Sequence, residues 1–472
     1  MKRSKRLYAL LGILLVVCVA TVAVTQMEEE KEQIKNSGEI ILELPGDTVQ
    51  SLDWKYGETE MSFHKDGKWL YDEDEAFPVD EEKIQELLEQ FEAFGVSFVI
   101  EDVKDYSMYG LDDPICIIHF ATEEQSYEMK LGNYSNMDSE RYISIGDGNV
   151  YLAKNDPLEQ FDAVLQDMID HDETLSYEQV TGIEFTGAEN YSIFYQEDST
   201  DTYCADDVYF TNKGGKNLPL DTDRVGTYLE SLTTLHLTDY VTYNATEEEL
   251  QSYGLDTPEL TVTVDYTAKD EKGKEVSDTF TLSVSRDPEE LAAAEKAKED
   301  GKDDEDEEVT AYVRVGESQI VYKISEYYYN NLMAASYDQL RHQEVMTADF
   351  ADVDRVDITL EGTSYTLTAE GKDDDRVWKY QEEEVEIADF RDALEDLRAS
   401  STDSFTSEKP TGKKEISLTV YLNNENQSQV QIALYRYDGS DCLAVVDGQT
   451  FALVSRSDVV DLVEAVNAIV LN

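Results

Sequence analysis

Five histidines, four cysteines and 104 acidic side chains are what this 472-residue chain offers for chemistry. His64, His119, His171, His236 and His342 stand far apart, and none falls into HExxH or another metal-ligand spacing. His119 lies in an apolar run with Ile117, Ile118 and Phe120, where a satisfied core or face histidine is expected. The other four read as surface residues. Cys18, Cys116, Cys204 and Cys442 contain no CxxC pair, and Cys18 sits inside an apolar segment. The remaining thiols are odd in number and make neither a disulfide framework nor a zinc site. No GxSxG, SxxK, Walker or GxGxxG pattern is present, so nucleophilic and nucleotide chemistry have no support. Among 104 carboxylates, pairs at glycosidase spacing arise by chance and none can be singled out. The acidic runs 303–308 and 373–375 miss the calcium-loop pattern and read as solvated charge. The sequence therefore points to no enzyme, nominates no catalytic, cofactor-binding or metal-ligating residue, and implies no cofactor.

Charge and tyrosine are the two excesses. With 38 basic residues the net charge is −66, which repels phosphate backbones and rules out nucleic acid as a partner. Hydrophobic residues at 41% are nevertheless enough to bury cores. Of 30 tyrosines, Tyr327, Tyr328 and Tyr329 are consecutive in a helical stretch, so at least one must face solvent or a module interface.

The elements that would position these residues begin with a membrane segment. Residues 7–25 are uncharged and long enough to span a bilayer, with Lys2, Arg3, Lys5 and Arg6 before them and Glu28, Glu29, Glu30 and Glu32 after. We expect a single-pass transmembrane helix with a cytoplasmic tip at 1–6, an acidic linker at 26–36, and residues 26–472 outside the cytoplasm. The competing reading is a cleaved signal peptide.

The exported part repeats itself. A Pro and an Asp precede an amphipathic helix at 78–94 and again at 219–235. Ile84, Leu87, Leu88 and Phe91 form one apolar face, and Val225, Tyr228, Leu229 and Leu232 the other. Asp80 and Asp221 suit the N-caps. Tyr109-Gly110-Leu111-Asp112-Asp113-Pro114 recurs as Tyr253-Gly254-Leu255-Asp256-Thr257-Pro258, each followed by period-two strands. Further helices are expected over 157–169 and 326–335. A third copy, with a helix at 387–399, lacks the Tyr-Gly-Leu-Asp turn but ends in an Asp447-Gly448 hairpin and a helix over 458–470. The expected fold class is α+β: tandem modules of mainly antiparallel sheet with two helices each, at 37–175, 176–345 and 346–472, behind the transmembrane helix. An acidic insert at 286–308 should form a short solvated helix and a charged run.

The PxD-initiated helix paired with the Tyr-Gly-Leu-Asp-x-Pro turn, behind an N-terminal anchor, resembles the bacterial family named domain of unknown function 4340. The resemblance covers most of 37–340. It implies a membrane-anchored envelope protein, often encoded beside ABC-transporter components, and it carries no catalytic residues. The expected function is a non-enzymatic interaction or accessory module of an ABC-transporter-associated complex, with the membrane and an envelope protein as partners. The alternative is a cell-wall glycan-binding or glycan-cleaving ectodomain, which a tyrosine-lined groove with two nearby carboxylates would favour.

Overall fold

The computed structural model of the chain describes residues 38–101, 103–270, 272–299, 308–371, 376–424 and 426–471. These form three antiparallel sheets of nine, nine and eight strands, with nine α-helices among the described residues. The chain divides into two compact units, Met1–His171 with the first sheet and Asp172–Asn472 with the second and third.

Each sheet is drawn by the same path. A first meander is followed by a helix and a second meander, whose leading strand pairs with the leading strand of the first; the first sheet adds Glu39–Leu42 and Phe94–Ile100 at one edge, and the second adds Tyr240–Thr242. Val49–Tyr56 pairs in this way with Cys116–Thr122, Gln179–Gly187 with Leu260–Lys269, and Val353–Leu360 with Lys414–Leu422. All three junctions carry a register shift at the same place, between Val49 and Ser51, Val180 and Gly182, and Val353 and Arg355. The valine is fully buried in each case, and so, or nearly so, is the apolar residue three positions on: Leu52, Ile183 or Val356. A bulge inserts one extra residue, so two buried side chains three apart return to the same face.

The helices between the meanders are short and built as expected. Asp80 caps Glu81–Glu89 by accepting the Lys83 amide hydrogen, and Asp221 caps Thr222–Thr233 by accepting those of Asp223 and Arg224. Their apolar faces, Ile84, Leu87 and Leu88 in one and Val225, Tyr228, Leu229 and Leu232 in the other, are buried. Burial contributes roughly 1.5–3 kcal/mol for each large side chain. In the third sheet Phe390 and Leu394 share a core with Leu462 and Val466 of the helix Arg456–Val470, over Val356, Ile358, Leu418 and Val420.

The Tyr-Gly-Leu-Asp turns are packing devices. Gly110 and Gly254 both stand at φ +71°, where only glycine is unstrained, and each ends a helical turn. A β-carbon on Gly110 would fall 2.6 Å from Asn133 Oδ1, and one on Gly254 would fall 2.6 Å from Ser285 Oγ and 2.9 Å from the Arg286 carbonyl. The preceding tyrosines meet partner rings, Tyr109 on Tyr142 at 5.0 Å and Tyr253 on Tyr312 at 4.7 Å, while Leu111 and Leu255 are buried.

Two expectations are corrected. The fold is not a set of α+β modules with two helices apiece behind a transmembrane helix. It is dominated by 26 strands in three large sheets, and no helix among the described residues is long and apolar enough to cross a membrane. The segment 7–25, the tip 1–6 and the linker 26–36 lie outside the described residues. The helix expected over 157–169 is also absent as such. It breaks into a turn at Leu158–Phe161 and a 3-10 turn at Leu165–Met168, because the chain must extend again for Ile169 to bridge Val79 and for the Met168 carbonyl to accept the Asp80 amide hydrogen. Pairing at the helix entrance outweighs helix propensity there. The acidic insert does form a solvated helix, Pro288–Glu299, with no buried residue.

Candidate functional site

In the second unit, a short extended segment after the helix Tyr337–Leu340 carries the chain from the second sheet to the third. In extended chain, residues two apart point to the same side. His342 and Glu344 therefore both face the start of the helix Thr222–Thr233 and its cap Asp221. From the other side comes Asp207, at the end of the loop between Tyr191–Tyr195 and Tyr209–Lys213. Three carboxylates, Asp207, Asp221 and Glu344, separated by up to 137 positions, thus converge on one imidazole.

The geometry is unequal. His342 Nε2 lies 2.8 Å from Asp207 Oδ1, and the other Asp207 oxygen accepts the Thr202 hydroxyl at 2.5 Å. The Asp207 side chain is 1% exposed. His342 Nδ1 faces Asp221 Oδ2 at 3.8 Å and Glu344 Oε2 at 3.9 Å, beyond hydrogen-bond length. Arg224 Nε stands 3.2 Å from the same Asp221 oxygen, and Glu344 Oε2 also accepts the Gln343 amide hydrogen at 3.1 Å. Burial alone would lower the His342 pKa. The hydrogen bond to Asp207, the interaction with Glu344 and the charges of Asp207 and Asp221 outweigh it and push the value up to about 9. The interaction with His342 holds the Glu344 carboxyl down at about 2, against the effect of its burial. At neutral pH and without another cation, His342 is an imidazolium held by carboxylates and cannot serve as a general base.

Beside this cluster and sharing Arg224 runs an open groove of about 530 Å³, lined by Tyr327, Tyr328, Asn331, Glu230 and Gln339 among others. Tyr327 at its mouth is 69% exposed and packs edge-on against Tyr328 at 5.5 Å. The Tyr328 hydroxyl meets His236 Nδ1 at 3.1 Å. Tyr329 turns inward, its hydroxyl donating to Glu259 at 3.1 Å under the Arg286 guanidinium. The consecutive tyrosines thus divide between core and surface as helix geometry requires. Among the described residues that line this groove, Glu230 is the one acid, so no pair of glycosidase type is assembled from them there.

The remaining chemistry-bearing residues go elsewhere. His119 lies on a sheet face between Asp53 at 2.9 Å and Glu128 at 3.2 Å. Burial works against its charge, but these two acids raise its pKa. His64 is raised by its hydrogen bond to Asp72, at 2.5 Å. Cys116 and Cys442 are buried and Cys204 is half-buried, all unbonded, with burial pushing the thiols up. His342 is not the surface residue its sequence context suggested, since its side chain is 17% exposed. Its local signal was only the His-x-Glu spacing in a segment without helical periodicity. Asp207 and Asp221 were beyond reach of any spacing argument. Residues 303–307 and 373–375 lie outside the described residues.

A family model described as Domain of unknown function (DUF4340) matches residues 69–214 and 211–419, one Tyr-Gly-Leu-Asp turn falling in each stretch. No curated protein and no solved structure matches the chain.

Proposed function

The chain belongs to the family described as Domain of unknown function (DUF4340), and from that premise we propose that it is a non-enzymatic, extracytoplasmic interaction protein of the bacterial cell envelope. It serves as an accessory module of an ABC-transporter-associated complex. The observation that carries this reading is the groove of the second unit, whose mouth is an exposed tyrosine backed by amide, hydroxyl and guanidinium groups. A rigid amphipathic ring covers much contact area at low entropy cost, which suits a protein-binding surface. His342, His64 and His119 each sit against carboxylates, an arrangement that also suits structural ion pairs, and this agrees with the reading. The order of basic, apolar and acidic residues over 2–32 supports export.

A photo-crosslinking residue in place of Tyr327, introduced into the full chain in native membranes, tests the reading. A discrete adduct with one envelope protein is expected. Irradiation that yields only unreacted chain would overturn it. A second reading, wall-glycan binding, draws on the same aromatic mouth, and retention of the full chain on isolated cell wall, lost on Tyr327→Ala, would favour it.

A further inference from the structure

We propose that Asp221, His342 and Glu344 bind a divalent cation of the zinc class, which staples the start of the helix Thr222–Thr233 to the segment leading into the third sheet. The donor atoms, one imidazole nitrogen and two carboxylate oxygens, lie within 4.8 Å of one another. Bonds of ~2.0–2.2 Å to zinc place neighbouring ligand atoms roughly 3–4 Å apart; the 3.8 and 3.9 Å separations from Nδ1 fall in that range, and the two carboxylate oxygens, within 4.8 Å of one another, would draw together on binding. Those separations are longer than direct hydrogen bonds.

The surroundings supply a second, independent feature. Metal-bound histidines almost always donate their other ring N–H to a carboxylate, which fixes the tautomer and raises ligand basicity. Asp207 is placed for this role. It is buried, anchored by Thr202, 2.8 Å from Nε2, and on the opposite side of the ring from Asp221 and Glu344. With the imidazole neutral, Asp207, Asp221 and Glu344 contribute −3 and Arg224 contributes +1, so a net −2 awaits a dication. Arg224 is the built-in competitor, since its Nε lies 3.2 Å from the Asp221 oxygen that faces His342. Nitrogen and carboxylate donors together favour zinc, cobalt or manganese over calcium or magnesium, which prefer oxygen alone. The Asp221 Oδ1 atom stays committed to the helix cap, so one side chain can both start the helix and hold the ion through Oδ2.

The test uses the full chain stripped with a chelator and titrated calorimetrically with Zn²⁺ in excess Mg²⁺ and Ca²⁺, which occupy the many surface carboxylates. Co²⁺ serves as the absorbing probe of the same site. One tight ion per chain is expected, together with the visible bands of cobalt bound to nitrogen and oxygen. Glu344→Gln, on a partly exposed side chain, and His342→Gln should each weaken binding at least tenfold. Asp207→Asn, which removes the orienting charge while leaving all three ligand residues in place, should weaken it about 10–100-fold. Arg224→Gln should tighten it, an outcome that a merely structural role for the cluster does not predict. Zinc isotherms and cobalt spectra identical in the wild type and in Glu344→Gln, a variant whose fold is checked by circular dichroism, would overturn the proposal and leave a network held by protons alone.

Discussion

Gly110 and Gly254 illustrate how a single residue can recur at the same point of an internal repeat for the sake of packing. Both sit at φ +71°, yet their neighbourhoods differ. The atom nearest a new β-carbon at Gly110 belongs to a side-chain amide that can move, whereas at Gly254 the Arg286 carbonyl is part of the backbone. Gly110→Ala should therefore cost about 1–2 kcal/mol and Gly254→Ala about 2–3 kcal/mol. Gly57→Ala, at φ +60° with open space around it, should cost about 1 kcal/mol, from strain alone. Urea midpoints of the three variants check the order, and equal losses at all three would refute the packing account. At the same scale His342 makes stability depend on pH. Its folded pKa, about 9, lies above the ordinary 6.5. The stabilisation is therefore complete below about pH 6.5 and is lost as pH rises through about 9, on the order of 3 kcal/mol in all. Glu344, held at about 2, acts in the opposite sense, and its contribution fades only as pH falls from about 4.5 through 2. In metal-free protein the urea midpoint should fall between pH 6 and pH 9.5, and His342→Gln should flatten that fall. An equally steep fall in the variant would assign it to other groups.

At the scale of elements, the caps are where local sequence translates directly into structure. Asp80→Ala should cost ~1 kcal/mol by orphaning the Lys83 amide, and Asp80→Ser should recover most of it. A calorimetric melt distinguishes the two, and equal losses would mean that the aspartate acts through its charge at the helix start instead. Such capped helices, the Asp447-Gly448 hairpin and the solvated helix of the insert could be read in advance because each is decided by residues within one or two turns of chain. The leading strands of the three first meanders were harder. Val49, Val180 and Val353 break period two, and only the bulge shows why. The stretch 157–169 misled for the complementary reason. Its residues are compatible with a helix, but the partner that pulls Ile169 into a bridge, Val79, lies 90 positions upstream. The candidate site was illegible for the same cause on a larger scale, because Asp207, Asp221 and His342 come from a loop, a cap and a connecting segment.

For the molecule as a whole, the charge of −66 sets a balance between two kinds of electrostatics. Many of the ion pairs among the described residues are exposed, such as Lys55–Glu60 and Arg391–Asp392, and pairs of that kind contribute at most about 1 kcal/mol each and weaken in salt. Against them stands the mutual repulsion of 104 acids over 38 bases, which is stronger in the folded chain than in the expanded one because folding brings the charges closer. Raising ionic strength from ~0.01 M to ~0.15 M shortens the screening length from about 30 Å to about 8 Å. That change removes far more of the long-range repulsion than of the close attraction between contacting pairs. The prediction is that the urea midpoint rises with sodium chloride over this range at pH 7, even though ion pairs alone would make it fall. The His342 cluster should stand apart from this trend, because Asp207 and His342 are shielded from solvent and touch directly. The difference in midpoint between wild type and His342→Gln should accordingly stay nearly constant as salt is added. A midpoint that falls with salt would show that the surface pairs outweigh the net charge. A wild-type advantage that shrinks with salt would show that the cluster is solvated, which would also weaken the case for a cation held there.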